Sequence, residues 1–419
     1  MNIKLRLTVM SFFQFFVWGA WLLSIGTYCV NAKGWTIGQF GAIFSTLAIA
    51  SIVMPALTGI IADKWINAER LYGILHILYG VVLFYVPKVD DPDTLYYVIL
   101  AAMACYMPTI SLSNSIAYTI LKRQNYDVVK TFPPIRVFGT IGFIAAMWTT
   151  NLTGSNDNSN QFLIGAIGAI ALGIYSFTLP KCPPPRSISK DAGIAEQLGL
   201  KAFKLFSNYK MALFFIFSLM LGAALQLTNM YGDQFLSGFK GVEEYKDSFV
   251  VKFSLIILSI SQMSETLFIL TIPFFLKRFG IKKVMLFSML AWVLRFGLFA
   301  YGDPSLAGTT LIIVSCIVYG MAFDFFNISG SLFIETNTDS SIRSSAQGLF
   351  MMMTNGIGAW LGSIISSWVI GKYFTLPGNK SDWHGIWLTF AAYALVIAIL
   401  FTIFFKHKHD PNKLALVHH

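Results

Sequence analysis

Long apolar blocks recur along the whole chain, and no other feature of the sequence restricts the fold as much. They fall at about residues 5–31, 37–62, 70–87, 94–121, 133–151 and 160–180, then at about 209–236, 250–276, 283–301, 305–335, 344–371 and 384–405. Each approaches or exceeds the roughly 20 residues that a helix needs to cross a hydrocarbon core about 30 Å thick. Hydrophobic residues make up 56% of the 419 positions and charged residues 12%, against about 25% charged in an ordinary soluble domain. One water-facing core cannot hide that much apolar surface; a bilayer can. Transmembrane β-barrels show short alternating segments, which this chain lacks. The first block is longer than the 7–15-residue apolar core of a cleaved signal peptide and has no A-x-A-like site close behind it, so it reads as a first membrane helix. The expected fold class is an all-α membrane protein of twelve helices in two pseudo-symmetric bundles of six.

The one long polar stretch separates the two groups. It implies an N-terminal bundle over 1–180, a linker over 181–208, a C-terminal bundle over 209–406 and a tail over 407–419. The linker opens with Pro183, Pro184 and Pro185. Its second part, Ile194 to Phe206, has amphipathic spacing that suits a helix lying on the membrane surface, and an unstructured tether suits it equally. The formal net charge is +10. Lys and Arg concentrate in alternate short loops, whereas Asp90, Asp91, Asp93, Asp157, Glu243, Glu244, Asp247 and Asp303 occupy the others. That is a topology signal, not a nucleic-acid surface, and it places both termini in the cytoplasm. The four cysteines, Cys29, Cys105, Cys182 and Cys316, have no metal or redox spacing. No cofactor and no metal site are expected.

Ionisable residues inside a span cost at least a few kcal/mol, so they face a cavity or a partner. Four stand out. Arg136 lies in FPPIRVFGTIGF with Thr140 and Phe143 at i+4 and i+7 on one face; it serves a site or snorkels to the cytoplasmic surface. Glu265 lies in ISQMSETLFIL with Gln262 at i−3, too deep to reach either interface. A carboxylate there carries a proton or pairs with a cation. Asp324 lies in YGMAFDFFNISGS near the middle of its block, about 100° round the helix from Phe323. Tyr319 and Phe323 form an aromatic i,i+4 wall, and Asn327 sits at i+3 from Asp324. Arg295 pairs with Asp324 or Glu265, or reaches the outer interface. Gln226 and Asn229 add two amides at i,i+3. Amides and a carboxylate bond hydroxyls, and aromatic rings stack on flat faces. Together they suit a neutral polyol with a planar ring: a nucleoside has both features, and a sugar is not excluded.

Six plus six spans joined by a cytoplasmic loop resemble the major facilitator transporters, two halves around a central cavity. Gly59 to Arg70 (GIIADKWINAER) resembles that superfamily's loop motif, which implies a gating role for Asp63. Narrower strings, QFFVWGAW (Gln14 to Trp21), MPALTGIIADKW, FPPIRVFGTIGF, SQMSETLFILTIPFFLKRFGIK, YGMAFDFFNISGS and SSAQG (Ser344 to Gly348), resemble the bacterial nucleoside:proton symporter family nearly end to end. The resemblance implies a nucleoside site at Arg136, Thr140, Phe143, Gln226, Asn229, Gln262, Glu265, Tyr319 and Phe323. It also implies a coupling proton, carried by Asp324 first and Glu265 second, and an inner-membrane protein that works as a monomer by alternating access. A proton-coupled sugar symporter is the rival reading. A membrane receptor or enzyme is a distant one, because no HExxH, Gly-x-Ser-x-Gly or phosphate-cradling loop occurs.

Overall fold

The computed structural model describes residues 2–184, 200–339, 342–378 and 380–407. Helices account for almost all of it. The first part of the chain forms α1 (Ile3–Gly19), α2 (Ile37–Lys64), α3 (Ala68–Tyr85), α4 (Pro92–Arg123), α5 (Val128–Leu152) and α6 (Asn160–Ser176). The second part forms α7 (Tyr209–Gly238), α8 (Ser254–Ala300), α9 (Leu306–Asn337), α10 (Arg343–Met351), α11 (Ala359–Tyr373) and α12 (Trp383–Phe404). A two-stranded antiparallel hairpin, β1 (Thr375–Leu376) with β2 (Lys380–Ser381), sits between α11 and α12. Among the described residues, eight helices are long and apolar enough to cross a membrane by length and composition.

Helix starts follow local chemistry. Thr36 and Gln39 close a capping box at the head of α2, satisfying two otherwise orphaned donors. Asp91 caps α4 ahead of Pro92, and the Thr94 backbone N–H holds its carboxyl below the usual carboxylate range. Ser305 caps α9 and Asp382 caps α12. Large apolar side chains face outward on many helices, Leu270 at 76% exposure among them. That is the surface a lipid-solvated helix presents.

Three expectations are refined. The block 5–31 is a helical run but not a uniform α-helix. Regular α-helix extends to Gly19, i→i−4 bonds from Leu22 to Trp18, Ile25 to Trp21 and Tyr28 to Ser24 carry the helical path on, and a π-helical segment closes it at Thr27–Ala32. Close packing coincides with the distortion: a Cβ at Gly19 would meet the Phe143 carbonyl at 2.8 Å, and one at Gly26 the Met230 carbonyl at 2.8 Å. The turn expected over 276–283 is present but very tight: α8 is two helices, 254–279 and 281–300, joined at Gly280, whose φ of 76° and ψ of 168° are not helical. In the linker, 185–199 lies outside the described residues, and Leu200–Ser207 is a 3-10 helix that packs on α10. Of the expected tail, 408–419 also lies outside them.

The chain divides into two compact units. The first comprises Met1–Asp191 with Asn229–Ser237 and Lys252–Ile256; the second comprises Ala192–Thr228, Gly238–Val251 and Ile257–His419. In the first unit α1 packs on α5, α3 on α6, and α2 on α4. α1 and α5 approach closely at Gly142, where a Cβ would stand 2.0 Å from the Phe12 carbonyl oxygen. Gly142→Ala is therefore expected to cost about 1–3 kcal/mol or more by overpacking, read as a lower unfolding midpoint of the purified protein. An unchanged midpoint would mean that the two helices can separate freely. In the second unit the backbone of α7 meets the π-helical turn Met352–Gly358 between α10 and α11 at Gly222, where a Cβ would lie 2.0 Å from the Thr354 carbonyl.

Candidate functional site

In the first unit, α5 carries Arg136, Thr140 and Phe143. All three are half-buried. The Arg136 guanidinium lies over the Phe15 ring of α1, 4.0 Å from its centroid. Phe143 meets the Trp18 ring edge-on at 6.2 Å, and Trp18 lies 5.4 Å from Tyr106. The indole N–H of Trp18 is buried without a hydrogen-bond partner. Tyr106 is held in place because its hydroxyl donates to the Gln14 carbonyl at 2.7 Å. The Gln14 side chain is itself fixed. It accepts from the Tyr72 hydroxyl at 2.6 Å and donates to Thr109 at 2.9 Å. Gln14 and Trp18 stand inside QFFVWGAW, a string whose members received no role from sequence, since neither is ionisable. Asn229, half-buried, also belongs to this unit.

A second polar cluster in this unit was missed altogether. Asp233 is fully buried near the end of α7. The Thr27 hydroxyl donates to one carboxylate oxygen and the Ser254 hydroxyl to the other, both at 2.5 Å. Beside it, Asn151 at the end of α5 donates to the Lys252 carbonyl at 2.7 Å and accepts from the N–H groups of Leu255 and Ile256 at 3.1 and 3.2 Å. Asn151 thus caps the first turn of α8. The rule that selected Asp324, an acid within an apolar block, applies equally to Asp233. Only its closeness to the block's end hid it.

The second unit holds Gln226, Gln262, Glu265, Tyr319, Phe323 and Asp324. Tyr319 and Phe323 stack nearly parallel, with centroids 6.1 Å apart and 9° between planes. Trp292 meets Tyr319 edge-on at 5.8 Å. Asp324 is buried on α9, and its Oδ2 has no hydrogen-bond partner. The backbones of α8 and α9 nearly touch: a Cβ at Gly320 would stand 2.6 Å from the Ser264 carbonyl and 2.7 Å from the Glu265 nitrogen. This approach brings the Glu265 backbone against Gly320, the residue after Tyr319 on α9. Gln262 and Ser261 each keep a buried oxygen without a partner. Asn327 lines a cavity of about 20 Å³ with Trp292, Phe323, Thr354 and Asn355, room for one water. It therefore shares a wall with Phe323 at i+4. Gln226 is half-buried on α7.

Arg295 departs from expectation. It is fully buried, and its hydrogen bonds go to the Thr228 hydroxyl at 3.2 Å and the Ser315 carbonyl at 2.8 Å, not to a carboxylate and not to the outer interface. The helix register explains this. The 281–300 arm of α8 runs antiparallel to α9, so Arg295 falls level with Ser315 while Ser288 bonds the Ala322 carbonyl, nearer Asp324. The side chain of Asp63 lies outside the described residues.

Comparison with known proteins gives a consistent picture. The family model described as Nucleoside H+ symporter matches residues 1–410. Xanthosine permease of Escherichia coli (strain K12) is 53% identical over 414 residues, which are 99% of this chain and 98% of that protein. Nucleoside permease NupG of the same organism is 49% identical over 409 residues, 98% and 97% of the two chains. A crystal structure of nucleoside transporter NupG superposes with a TM-score of 0.92 at 48% identity, covering 97% of this chain and 100% of that one. The D-xylose-proton symporter shares the fold alone, with a TM-score of 0.68 at 15% identity over 96% and 97% of the chains.

Proposed function

We propose, from the premise that this chain belongs to the nucleoside H+ symporter family, a set of residue roles for its transport cycle. The protein is a proton-coupled nucleoside importer with the all-α major facilitator fold, and it is not an enzyme. The family match over nearly the whole chain carries that conclusion and favours it over a sugar symporter. Its place is the bacterial inner membrane, with both termini cytoplasmic as the loop charges ask. It works as a monomer, with the proton as coupling ion and no cofactor.

Arg136, Thr140, Phe143, Gln226, Asn229, Gln262, Glu265, Tyr319 and Phe323 contact the nucleoside. The parallel Tyr319–Phe323 pair supports this role because it offers a flat apolar wall to a base. The open oxygen of Gln262 supports it too: a buried acceptor without a partner is costly, and a ribose hydroxyl or base N–H relieves that cost. Asp324 carries the coupling proton, with Glu265 as the second candidate. Its burial and its partnerless Oδ2 support the assignment: a buried carboxylate with an open oxygen is held more cheaply with a proton than as a bare charge. Asp63 gates the cytoplasmic side.

Uptake of labelled uridine and xanthosine into proteoliposomes, with and without an inward proton gradient, tests this reading. Accumulation that an uncoupler abolishes and that excess D-xylose does not inhibit is the expected outcome. Uptake indifferent to the gradient would remove the proton roles of Asp324 and Glu265.

A further inference from the structure

Arg295 is a charge that the proposed cycle does not use, buried at 0% exposure in the second unit. Stability alone does not account for it. Well-packed apolar side chains in place of buried ions are often neutral or stabilising, and one terminal nitrogen of this guanidinium has no hydrogen-bond partner.

Its contacts tie three helices together. On α7 it bonds Thr228, two residues beyond Gln226. On α9 it donates to the Ser315 carbonyl, and the Ser315 hydroxyl donates back to the Arg295 carbonyl at 2.9 Å. One helical turn further along α9, the guanidinium lies over the Tyr319 ring, 4.7 Å from its centroid, and over its own helix's Phe299 at 4.8 Å. A planar cation between two rings fixes their rotamers as well as its own. A lysine ammonium has neither the plane nor the fork to do the same.

We propose that Arg295 is a positioning residue for nucleoside binding: it holds the Tyr319 ring and the Gln226-bearing turn of α7 in the arrangement that receives the substrate. This rests on the reading above that Tyr319 and Gln226 contact the nucleoside. Arg295 does not touch the ligand.

The experiment measures uridine affinity by calorimetry, and unfolding midpoints in parallel, on purified full-length protein. Arg295→Met is expected to weaken binding about tenfold, and Arg295→Lys to within twofold of that loss. Thr228→Val should weaken binding about threefold, and adding it to Arg295→Met should change nothing further, because both remove one contact. Lowered midpoints with affinities within twofold of wild type would overturn the proposal and leave Arg295 a structural strut. Should Arg295→Met not fold, Arg295→Lys and Thr228→Val decide: weakened binding in both supports the proposal, wild-type binding in both overturns it. Tyr319→Ala separates the two levels. If it leaves affinity unchanged, the assignment of Tyr319 fails and the role of Arg295 with it. If it weakens binding while the Arg295 and Thr228 variants do not, only the role of Arg295 fails.

Discussion

Asp324→Asn is expected to abolish uphill uptake of uridine while leaving downhill exchange measurable. The substitution keeps the size and most of the shape of a buried side chain, so packing on α9 is preserved and the change is confined to the proton. One charge moving through 100 mV supplies about 2.3 kcal/mol. At about 1.4 kcal/mol per tenfold, that supports accumulation on the order of 50-fold. Without a titratable group at position 324 the ratio should fall to about one. Glu265→Gln is the control, since Glu265 is the second candidate for the coupling proton. A variant that loses accumulation only at 265 would transfer the proton role to Glu265. Accumulation by Asp324→Asn that an uncoupler still collapses would rule out Asp324 as the carrier.

Arg136→Lys is expected to slow uridine uptake at least tenfold, and Arg136→Ala on the order of a hundredfold. Charge alone is not what the site uses. The guanidinium lies over the Phe15 ring, 4.0 Å from its centroid, a contact a lysine ammonium makes less well. Space around it is tight: a Cβ on Gly139 would stand 2.7 Å from Arg136 Nη1 and 2.6 Å from the Phe15 ring. Gly139→Ala should therefore push the guanidinium off the ring and reproduce much of the loss with Arg136 intact. Initial rates per transporter, normalised to the amount in the membrane, provide the measurement. Wild-type rates in Arg136→Lys would favour the alternative in which this side chain only anchors α5 at the cytoplasmic surface.

Both residues were visible without coordinates, and for one reason: a charge in an apolar block is expensive wherever the helix ends up. The same cost applies to Asp233 and Arg295, yet their roles were not legible. Asp233 went unremarked because it stands near the end of its block, where an acid can reach water; burial comes from Thr27 and Ser254, more than 200 residues and about 20 residues away in the chain. Arg295 stands out in the sequence but its partner does not, because pairing with an acid and reaching the outer interface suit an in-span cation equally. Gln14, Tyr72 and Thr109 form a buried network from α1, α3 and α4, and no spacing rule connects residues on three helices.

The sequence by itself determined the class, the helical blocks, and the faces that Arg136 and Tyr319 share with their i+4 neighbours. These follow from chemistry within a few turns of one helix. Only the tertiary structure decided that the first block is distorted beyond Gly19, that the turn within α8 narrows to Gly280, and that Arg295 lies on Tyr319 instead of bonding an acid. Those outcomes depend on where helices cross and in which register. Crossing is set by small residues that admit a neighbouring backbone, such as Gly142 against Phe12 and Gly320 against Ser264. Hydropathy marks which residues leave water; it does not say which of them meet.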